Sequence, residues 1–181
     1  MTQNLFTNLI STAELAGHLE SQDWAVLDCR FNLAEKAQGQ KDYLAAHIPG
    51  AVYADLDRDL SGPQVPGQTG RHPLPAVEAA AKTFASWGIG AGVQVVCYDD
   101  TGGALAAARA WWLLRWLGHE AVAVLDGGWQ KWKAEGRLHC NGRENRPARP
   151  FVPYLHPERV VNAIEVERLR LESGCRVFDS R

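Results

Sequence analysis

The chain has 181 residues, of which 46% are hydrophobic and 22% are charged, and its formal net charge is −2. This length and composition suffice for one packed domain with further residues, and they exclude a largely disordered chain. The small negative charge argues against a general nucleic-acid-binding protein, and no apolar run reaches the roughly 20 residues that a membrane-spanning helix needs.

The amino terminus and the cysteines indicate the cellular compartment of the protein. Residues 1–10 lack the basic segment and the long apolar run of a secretory signal. The cysteines are scattered, without a CxxC pair or a zinc-ligand spacing, at Cys29, Cys97, Cys140 and Cys175. We therefore expect free thiols in a reducing cytoplasm, and neither a metal nor another cofactor.

The chain predicts helices that alternate with short strands. In chain order we expect a helix from a capping box at Ser11 and Glu14 to about Glu20, a strand at 24–28, a short helix at 42–46, a strand at 51–53, a helix at 76–87, a strand at 94–98, a helix at 104–117, a strand at 121–125 and a helix at 129–135. Residues 57–75 are rich in proline and glycine and predict a long irregular loop. The alternation predicts an α/β fold with a central, mainly parallel sheet and helices on both faces.

The segment at 93–119 is the centre of this pattern. Its valine-rich strand is followed by a polar loop and then by a long helix, and the loop residues are Asp99, Asp100, Thr101, Gly102 and Gly103. A loop between a strand and a helix directs several backbone N–H groups to one point, and the helix amino terminus adds partial positive charge. The sequence therefore predicts an anion cradle, at which many enzymes place a nucleophile.

The carboxyl-terminal part differs in composition and contains a repeat. Residues 136–157 hold four prolines and four arginines, which predicts an extended linker. Residues 161–181 then align without gaps with residues 10–30, because each segment has a helix cap, an amphipathic helix, a strand and an Asp-x-Arg ending. We interpret this as an internal repeat whose second copy stops after one strand, so the tail should be mobile, pair with another copy, or belong to a second domain.

Several segments together resemble the rhodanese family, the tandem-domain thiosulfate and 3-mercaptopyruvate sulfurtransferases. They are LDCR at 27–30, HIPGAVYAD at 47–55, GRHPLP at 70–75, VVCYDDTGG at 95–103, ARAWWLLRWLGH at 108–119 and VLDGGWQKW at 124–132. The resemblance implies a rhodanese-like amino-terminal domain at 1–138, a linker at 139–157 and the start of a second such domain at 158–181.

The resemblance also implies a function. In the active domain of the family, the loop after the central strand carries a cysteine that accepts sulfane sulfur as a persulfide and passes it to cyanide or a thiol. Asp99 stands at that position, so the resemblance implies no catalytic residue in this chain and a catalytic cysteine in the second domain. The partners would be that domain, a small sulfur-containing anion and a thiol acceptor. The alternative is a catalytically inactive rhodanese module with a binding or regulatory role.

Other residues have competing interpretations. By the resemblance, Arg30, Phe31, Leu105 and Arg181 are candidates for a pocket between the two domains. We expect Asp99 to cap the following helix rather than to bind a metal together with Asp100, and Cys97 to be buried and unreactive. Arg30 could lower the pKa of the neighbouring Cys29, but Asp28 opposes this, so we expect no functional role for Cys29. We also expect Asp28 and Arg30 to bond each other or neighbouring loops. Residues 139–146 match the HCxxxxxR pattern of cysteine-dependent phosphatases, but the prolines that follow exclude the helix which such a loop requires.

Overall fold

The structure is a computed structural model that describes residues 5–178. Its elements are β1 (Leu9–Ile10), α1 (Thr12–Ala16), β2 (Trp24–Asp28), α2 (Gln38–Ala45), β3 (Ala51–Tyr53), α3 (Val77–Ser86), β4 (Gln94–Tyr98), α4 (Ala106–Trp116), β5 (Val122–Leu125), α5 (Gly128–Ala134), a 3-10 turn (Pro157–Arg159) and α6 (Ala163–Leu169). Residues 54–76 contain neither a helix nor a strand, as the sequence predicts for most of this loop.

The five strands form one sheet in the order β1-β5-β4-β2-β3, and every pairing is parallel. β4 lies at the centre, between β2 and β5. Helices α3 and α4 contribute Phe84 and Leu113 to the core on one face, whereas α1 and α5 contribute Leu15 and Trp132 to the core on the other. This arrangement confirms the predicted fold class.

The burial of the central strand, β4, explains why its sequence is a continuous apolar run. All five residues of β4 are buried. Successive side chains of a strand point to opposite faces, and accordingly Val95 and Cys97 join one core while Val96 and Tyr98 join the other. Cys97 is therefore part of the interior, as predicted.

Several elements differ from the prediction. Helix α1 ends at Ala16 rather than near Glu20, because the Gly17 N–H already bonds back to the last turn. Helix α2 begins at Gln38 rather than at residue 42, and its amino terminus has no side-chain cap that the sequence could reveal. Strand β1 was not predicted, since two residues are too short for a periodic signal.

The linker segment lies against the domain. His47 and Cys140 form an antiparallel bridge, with N···O distances of 2.9 and 3.0 Å for the two backbone hydrogen bonds. Further along, the backbone N–H groups of Arg149 and Tyr154 bond to the carbonyl groups that end α3 and follow α4. Residues 141–156 contain no helix, which agrees with the rejection of a phosphatase loop.

The tail begins as predicted but does not join the sheet. Asn162 and Glu165 form the expected capping box of α6, and no residue of this helix is buried. Val177 and Phe178 are exposed and outside any strand. The remainder of the predicted strand, including Arg181, lies outside the described residues. The described part of the tail is therefore not an edge of the first domain's sheet.

His119 gives the fold a pH dependence. Its ring Nε2 lies 2.9 Å from the Val93 carbonyl oxygen. Burial lowers the pKa of His119 from its ordinary value of 6.5, against the opposing effect of its hydrogen bonds to backbone carbonyls. The folded state therefore favours the neutral ring, while the unfolded chain takes up a proton near pH 6.5.

We expect this group to contribute its full stabilisation above about pH 6.5 and to lose it as the pH falls through the folded-state pKa, by at most about 1.4 kcal/mol per pH unit. Urea unfolding at about pH 7.5 and about pH 5.5 measures the loss. His119→Gln keeps an N–H donor but does not titrate, so it should show a smaller loss over this interval. An equal loss in both proteins would contradict the assignment.

Candidate active-site loop

The carboxyl ends of β2, β4 and β5 meet at one edge of the sheet, because the three strands are parallel neighbours. The register pairs Asp28 with Tyr98, and the next residue, Cys29, donates its N–H to the Tyr98 carbonyl oxygen at 2.8 Å. From the other side, the Trp129 N–H bonds to the Asp99 carbonyl oxygen at 2.9 Å. In open parallel sheets, ligand sites lie at this edge.

Asp99 fills the centre of the predicted cradle. Its side-chain Oδ1 accepts hydrogen bonds from the Thr101 N–H (2.9 Å), the Thr101 hydroxyl (2.9 Å) and the Gly103 N–H (2.7 Å). Its Oδ2 accepts from the N–H groups of Leu105 (3.1 Å) and Ala107 (3.2 Å). Asp99 is only 1% exposed. The expectation that this carboxylate satisfies the donors of the loop and of the helix start is thus confirmed.

Two glycines allow the loop to close around this carboxylate. Gly102 and Gly103 have φ angles of 73° and 90°, a left-handed conformation that side chains disfavour. A Cβ on Gly103 would also lie 2.2 Å from the Val124 side chain. Because the chain turns here, helix α4 begins at Ala106 rather than at residue 104.

The donors around Asp99 decide between the two interpretations of the aspartate pair. Both oxygens of this carboxylate face N–H or O–H groups, whose positive ends occupy the directions that a cation would need. The geometry therefore fits a helix cap and a held anion rather than a metal ligand. Asp100 is half-buried at the rim of the loop.

A buried ion pair lies beside the loop. Arg30 binds Asp28 with its Nε 3.0 Å from both carboxylate oxygens and its Nη2 2.6 Å from Oδ2. The Tyr98 hydroxyl donates to the same Oδ2 at 2.6 Å, and the guanidinium stacks 4.6 Å from the Trp129 ring centroid. Its bonds to Asp28 and the neighbouring charges raise the pKa of Arg30 despite the opposing effect of burial. This ion pair holds the carboxyl end of β2 in place beside the loop.

An apolar cavity of 320 Å³ opens next to Asp99 and Asp100. Phe31 and Leu105 both line it, and Leu105 is 62% exposed. Arg30 does not line this cavity, because its guanidinium turns to Asp28 and borders a separate cleft. Of the four candidate pocket residues, Phe31 and Leu105 thus line one cavity, whereas Arg30 borders another. Arg181 lies outside the described residues.

Comparison with known proteins identifies the family. The rhodanese-like domain family matches residues 11–135, which is more than half of the chain. The chain belongs to the rhodanese family. The match begins at the cap of α1 and ends just after α5, so it includes the whole site described above.

Rhodanese relatives carry sulfurtransferase names. A Pseudomonas aeruginosa protein named "Probable 3-mercaptopyruvate sulfurtransferase" is 42% identical over 174 residues, or 96% of this chain and 61% of its own length. The Arabidopsis thaliana thiosulfate/3-mercaptopyruvate sulfurtransferase 2 is 39% identical over 133 residues, or 71% of this chain and 36% of its own. The crystal structure of the Escherichia coli 3-mercaptopyruvate sulfurtransferase SseA superimposes with a TM-score of 0.85 at 29% identity, covering 97% of this chain and 66% of SseA.

The chain spans about three fifths of the length of the Pseudomonas relative. Within residues 5–178 there is no helix of the length and apolar character that crossing a bilayer requires.

One cysteine, Cys29, lies beside the rhodanese loop. Cys29 lies in the wall of the apolar cavity but is fully buried. Burial raises the pKa of the Cys29 thiol well above its ordinary value, and the neighbouring Cys97, Asp28 and Asp99 raise it further. Because the thiolate is the reactive form, the raised pKa disfavours reaction of this thiol near neutral pH.

Sequence reasoning missed Arg109, which holds the long loop against the rhodanese site. Its Nε donates to the Leu60 carbonyl oxygen at 2.8 Å, and its Nη2 donates to the carbonyl oxygens of His72 (3.0 Å) and Pro73 (2.9 Å). Arg109 and His72 both line the apolar cavity. All three acceptors are backbone groups more than 30 residues away, so no local pattern could reveal them.

Proposed function

We propose that this chain is the non-catalytic amino-terminal domain of a tandem-domain sulfurtransferase. The parent protein transfers sulfane sulfur from thiosulfate or 3-mercaptopyruvate to a thiophilic acceptor such as cyanide or a thiol. A cysteine persulfide in the second domain carries the sulfur. Residues 1–138 form the inactive domain, 139–157 the linker and 158–181 the start of the second domain.

The observation that carries this proposal is the carboxylate at the centre of the loop. Asp99 is buried, and five donors point to its two oxygens. A carboxylate does not accept sulfur as a thiolate does, and its negative charge would repel an anionic donor from the same cradle. The residue at the nucleophile position of this domain therefore maintains the loop instead of reacting.

The relatives and the tail support the two-domain part of the proposal. Relatives named as sulfurtransferases extend well beyond the length that this chain matches. In the tail, apolar side chains face solvent: Ile164 of α6 is 83% exposed, and Phe178, beyond this helix, is 85% exposed. Such exposure is expected of elements that pack inside another domain.

We assign the cavity of Phe31 and Leu105 to the interface with the second domain. Its lining is mostly apolar, and it opens beside the loop at the sheet edge where rhodanese chemistry takes place. An apolar wall suits domain packing and the exclusion of water from a persulfide more than the direct binding of a small anion. The four free cysteines further support a reducing cytoplasmic location.

The alternative is an inactive rhodanese module that only binds a partner. Such a module would use the same Asp99 loop and the same apolar cavity, so these features do not distinguish the two hypotheses. The names and the greater length of the relatives favour the enzyme component.

The proposal predicts that the purified 181-residue chain forms neither thiocyanate from thiosulfate and cyanide nor pyruvate from 3-mercaptopyruvate and a thiol. Both products are measured colorimetrically, with the Escherichia coli 3-mercaptopyruvate sulfurtransferase as positive control. Mass spectrometry after incubation with either donor should find no persulfide on any of the four cysteines. Turnover that a Cys→Ser substitution abolishes would overturn the assignment.

A second measurement tests the proposal that the parent protein is a sulfurtransferase with its catalytic cysteine in the second domain. The gene that encodes the chain should continue past residue 181 with a rhodanese loop that contains a cysteine. The complete product should turn over one of the two donors, and Cys→Ser at that loop should abolish the activity. A complete protein without such a loop would favour the binding module.

A further inference from the structure

A cluster of metal-ligating side chains lies where the linker meets the domain, and none of its members lines the cavity beside Asp99. It consists of His47, from the turn between α2 and β3, and of Cys140 and Glu144, from the segment after α5. The ligand atoms of the three residues lie within 4.8 Å of one another. This cluster plays no part in the proposed sulfur transfer.

The hydrogen bonds of His47 determine which of its ring nitrogens is available. Nδ1 lies 2.7 Å from the carbonyl oxygen of Tyr43, which can only accept, so Nδ1 carries the ring proton. The lone pair is then on Nε2, which lies 3.1 Å from the Cys140 Sγ. Metal-binding histidines are usually oriented in this way, with the second nitrogen donating to a carbonyl or carboxylate group.

Glu144 completes the cluster. Its Oε1 lies 3.5 Å from the Cys140 Sγ. Zn–S bonds of about 2.3 Å and Zn–N or Zn–O bonds of about 2.0–2.2 Å place tetrahedral ligand atoms roughly 3.3–3.8 Å apart. The two distances to Sγ are therefore close to the spacing that a bound zinc ion imposes.

The surrounding structure holds the ligands in place. The backbone bridge fixes His47 and Cys140 side by side. The Tyr43 hydroxyl accepts the Glu144 N–H at 2.8 Å and donates to the Ala51 carbonyl oxygen at 2.9 Å. The Tyr43 ring also stacks on the His47 ring, with centroids 4.2 Å apart. One residue thus positions two of the three ligands, as the outer residues of a metal site do.

We propose that His47 Nε2, Cys140 Sγ and the Glu144 carboxylate form a binding site for a divalent transition-metal ion of the zinc type, with water at the fourth position. One nitrogen, one sulfur and one oxygen ligand suit zinc better than magnesium or calcium, which prefer oxygen alone. His47 is fully buried, while Cys140 and Glu144 are half-buried, so the ion would enter from the linker side. Binding would join the linker to the domain.

This proposed site differs from the expectation, drawn from the sequence, that the chain binds no metal. The sequence search required closely spaced cysteines and histidines, whereas His47 and Cys140 are 93 residues apart. Only the folded backbone brings them together.

The test uses the untagged, reduced chain at about pH 7.5, with Co²⁺ as a spectroscopic probe and then with Zn²⁺. We expect one equivalent of Co²⁺ to bind with a thiolate-to-cobalt charge-transfer band, and Zn²⁺ to displace it. Cys140→Ser should remove that band and weaken Zn²⁺ binding by about 100-fold, and Glu144→Gln should weaken it by about tenfold, on the scale known for metal-site substitutions. Cys175→Ser is the matched cysteine control and should change neither quantity.

Thermal unfolding gives a readout that does not depend on spectroscopy. Excess Zn²⁺ should raise the melting temperature of the unchanged chain and of Cys175→Ser, and it should have a much smaller effect on Cys140→Ser. The absence of a charge-transfer band in the unchanged chain, or its persistence in Cys140→Ser, would overturn the proposal. Unchanged Zn²⁺ affinity in Glu144→Gln would refute the three-ligand site. If the hydrogen bond between Cys140 and His47 is merely structural, Zn²⁺ will not shift the melting temperature.

Discussion

Replacing Asp99 by alanine is expected to lower the free energy of unfolding by about 3–5 kcal/mol. The substitution removes the acceptor of five hydrogen bonds at a residue that is 1% exposed. The donors left behind include the N–H groups of two buried residues, Gly103 in the loop and Ala107 in the first turn of α4, where helix N–H groups lack an intrahelical partner. Urea unfolding followed by tryptophan fluorescence measures the loss.

Asp100→Ala is the matched control. Asp100 is the adjacent residue and carries the same charge, but its side chain makes no hydrogen bond within the described residues 5–178. Its replacement should change stability by no more than about 0.5 kcal/mol. If Asp99→Ala and Asp100→Ala have equal effects, the donors around Asp99 do not stabilise the loop.

Replacing Arg30 by methionine is expected to cost about 3–5 kcal/mol, because it leaves the Asp28 carboxylate buried without its cation. Asp28 is fully buried, and Arg30 is 4% exposed. Methionine retains an apolar chain of similar length against Trp129, so most of the change reports on the charge. The same urea titration gives the value.

Two further variants separate the charge from the packing. Asp28→Asn added to Arg30→Met removes the uncompensated charge, and the double variant should be more stable than Arg30→Met alone. Lys131→Met removes an exposed ion pair with Asp126, whose N···O distance is 2.7 Å, and should cost less than about 1 kcal/mol. A double variant less stable than Arg30→Met would indicate that packing dominates.

Local patterns were sufficient for most of the fold. The apolar runs of β2 and β4 are continuous because both strands are buried on both faces, and the structure gives these strands the predicted bounds. The capping boxes of α1 and α6 are equally local, since each joins residues three apart. The start of α2 was missed because it depends on packing, and Gly39 within it lies directly under the Arg30 carbonyl group.

The candidate site was likewise predictable only where its contacts join residues that are close in sequence. The Asp99 loop lies between adjacent elements, so a strand followed by a glycine-bearing loop and a helix was enough to place it. The contacts of Arg109 and the approach of Cys140 to His47 join residues far apart in sequence, and no pattern in either segment records its partner. Arg30 was expected both among the pocket residues and in contact with Asp28, two residues away, and the structure shows the contact with Asp28.

The Asp99 carboxylate also makes the loop insensitive to dissolved anions. A charged group attached to the loop itself has an effective concentration far above that of any free anion, so thiosulfate or sulfate would have to compete with a tethered occupant. Raising the concentration of these anions would therefore leave the occupancy of the cradle unchanged. The loop is therefore an anion site that its own carboxylate already occupies in the folded chain.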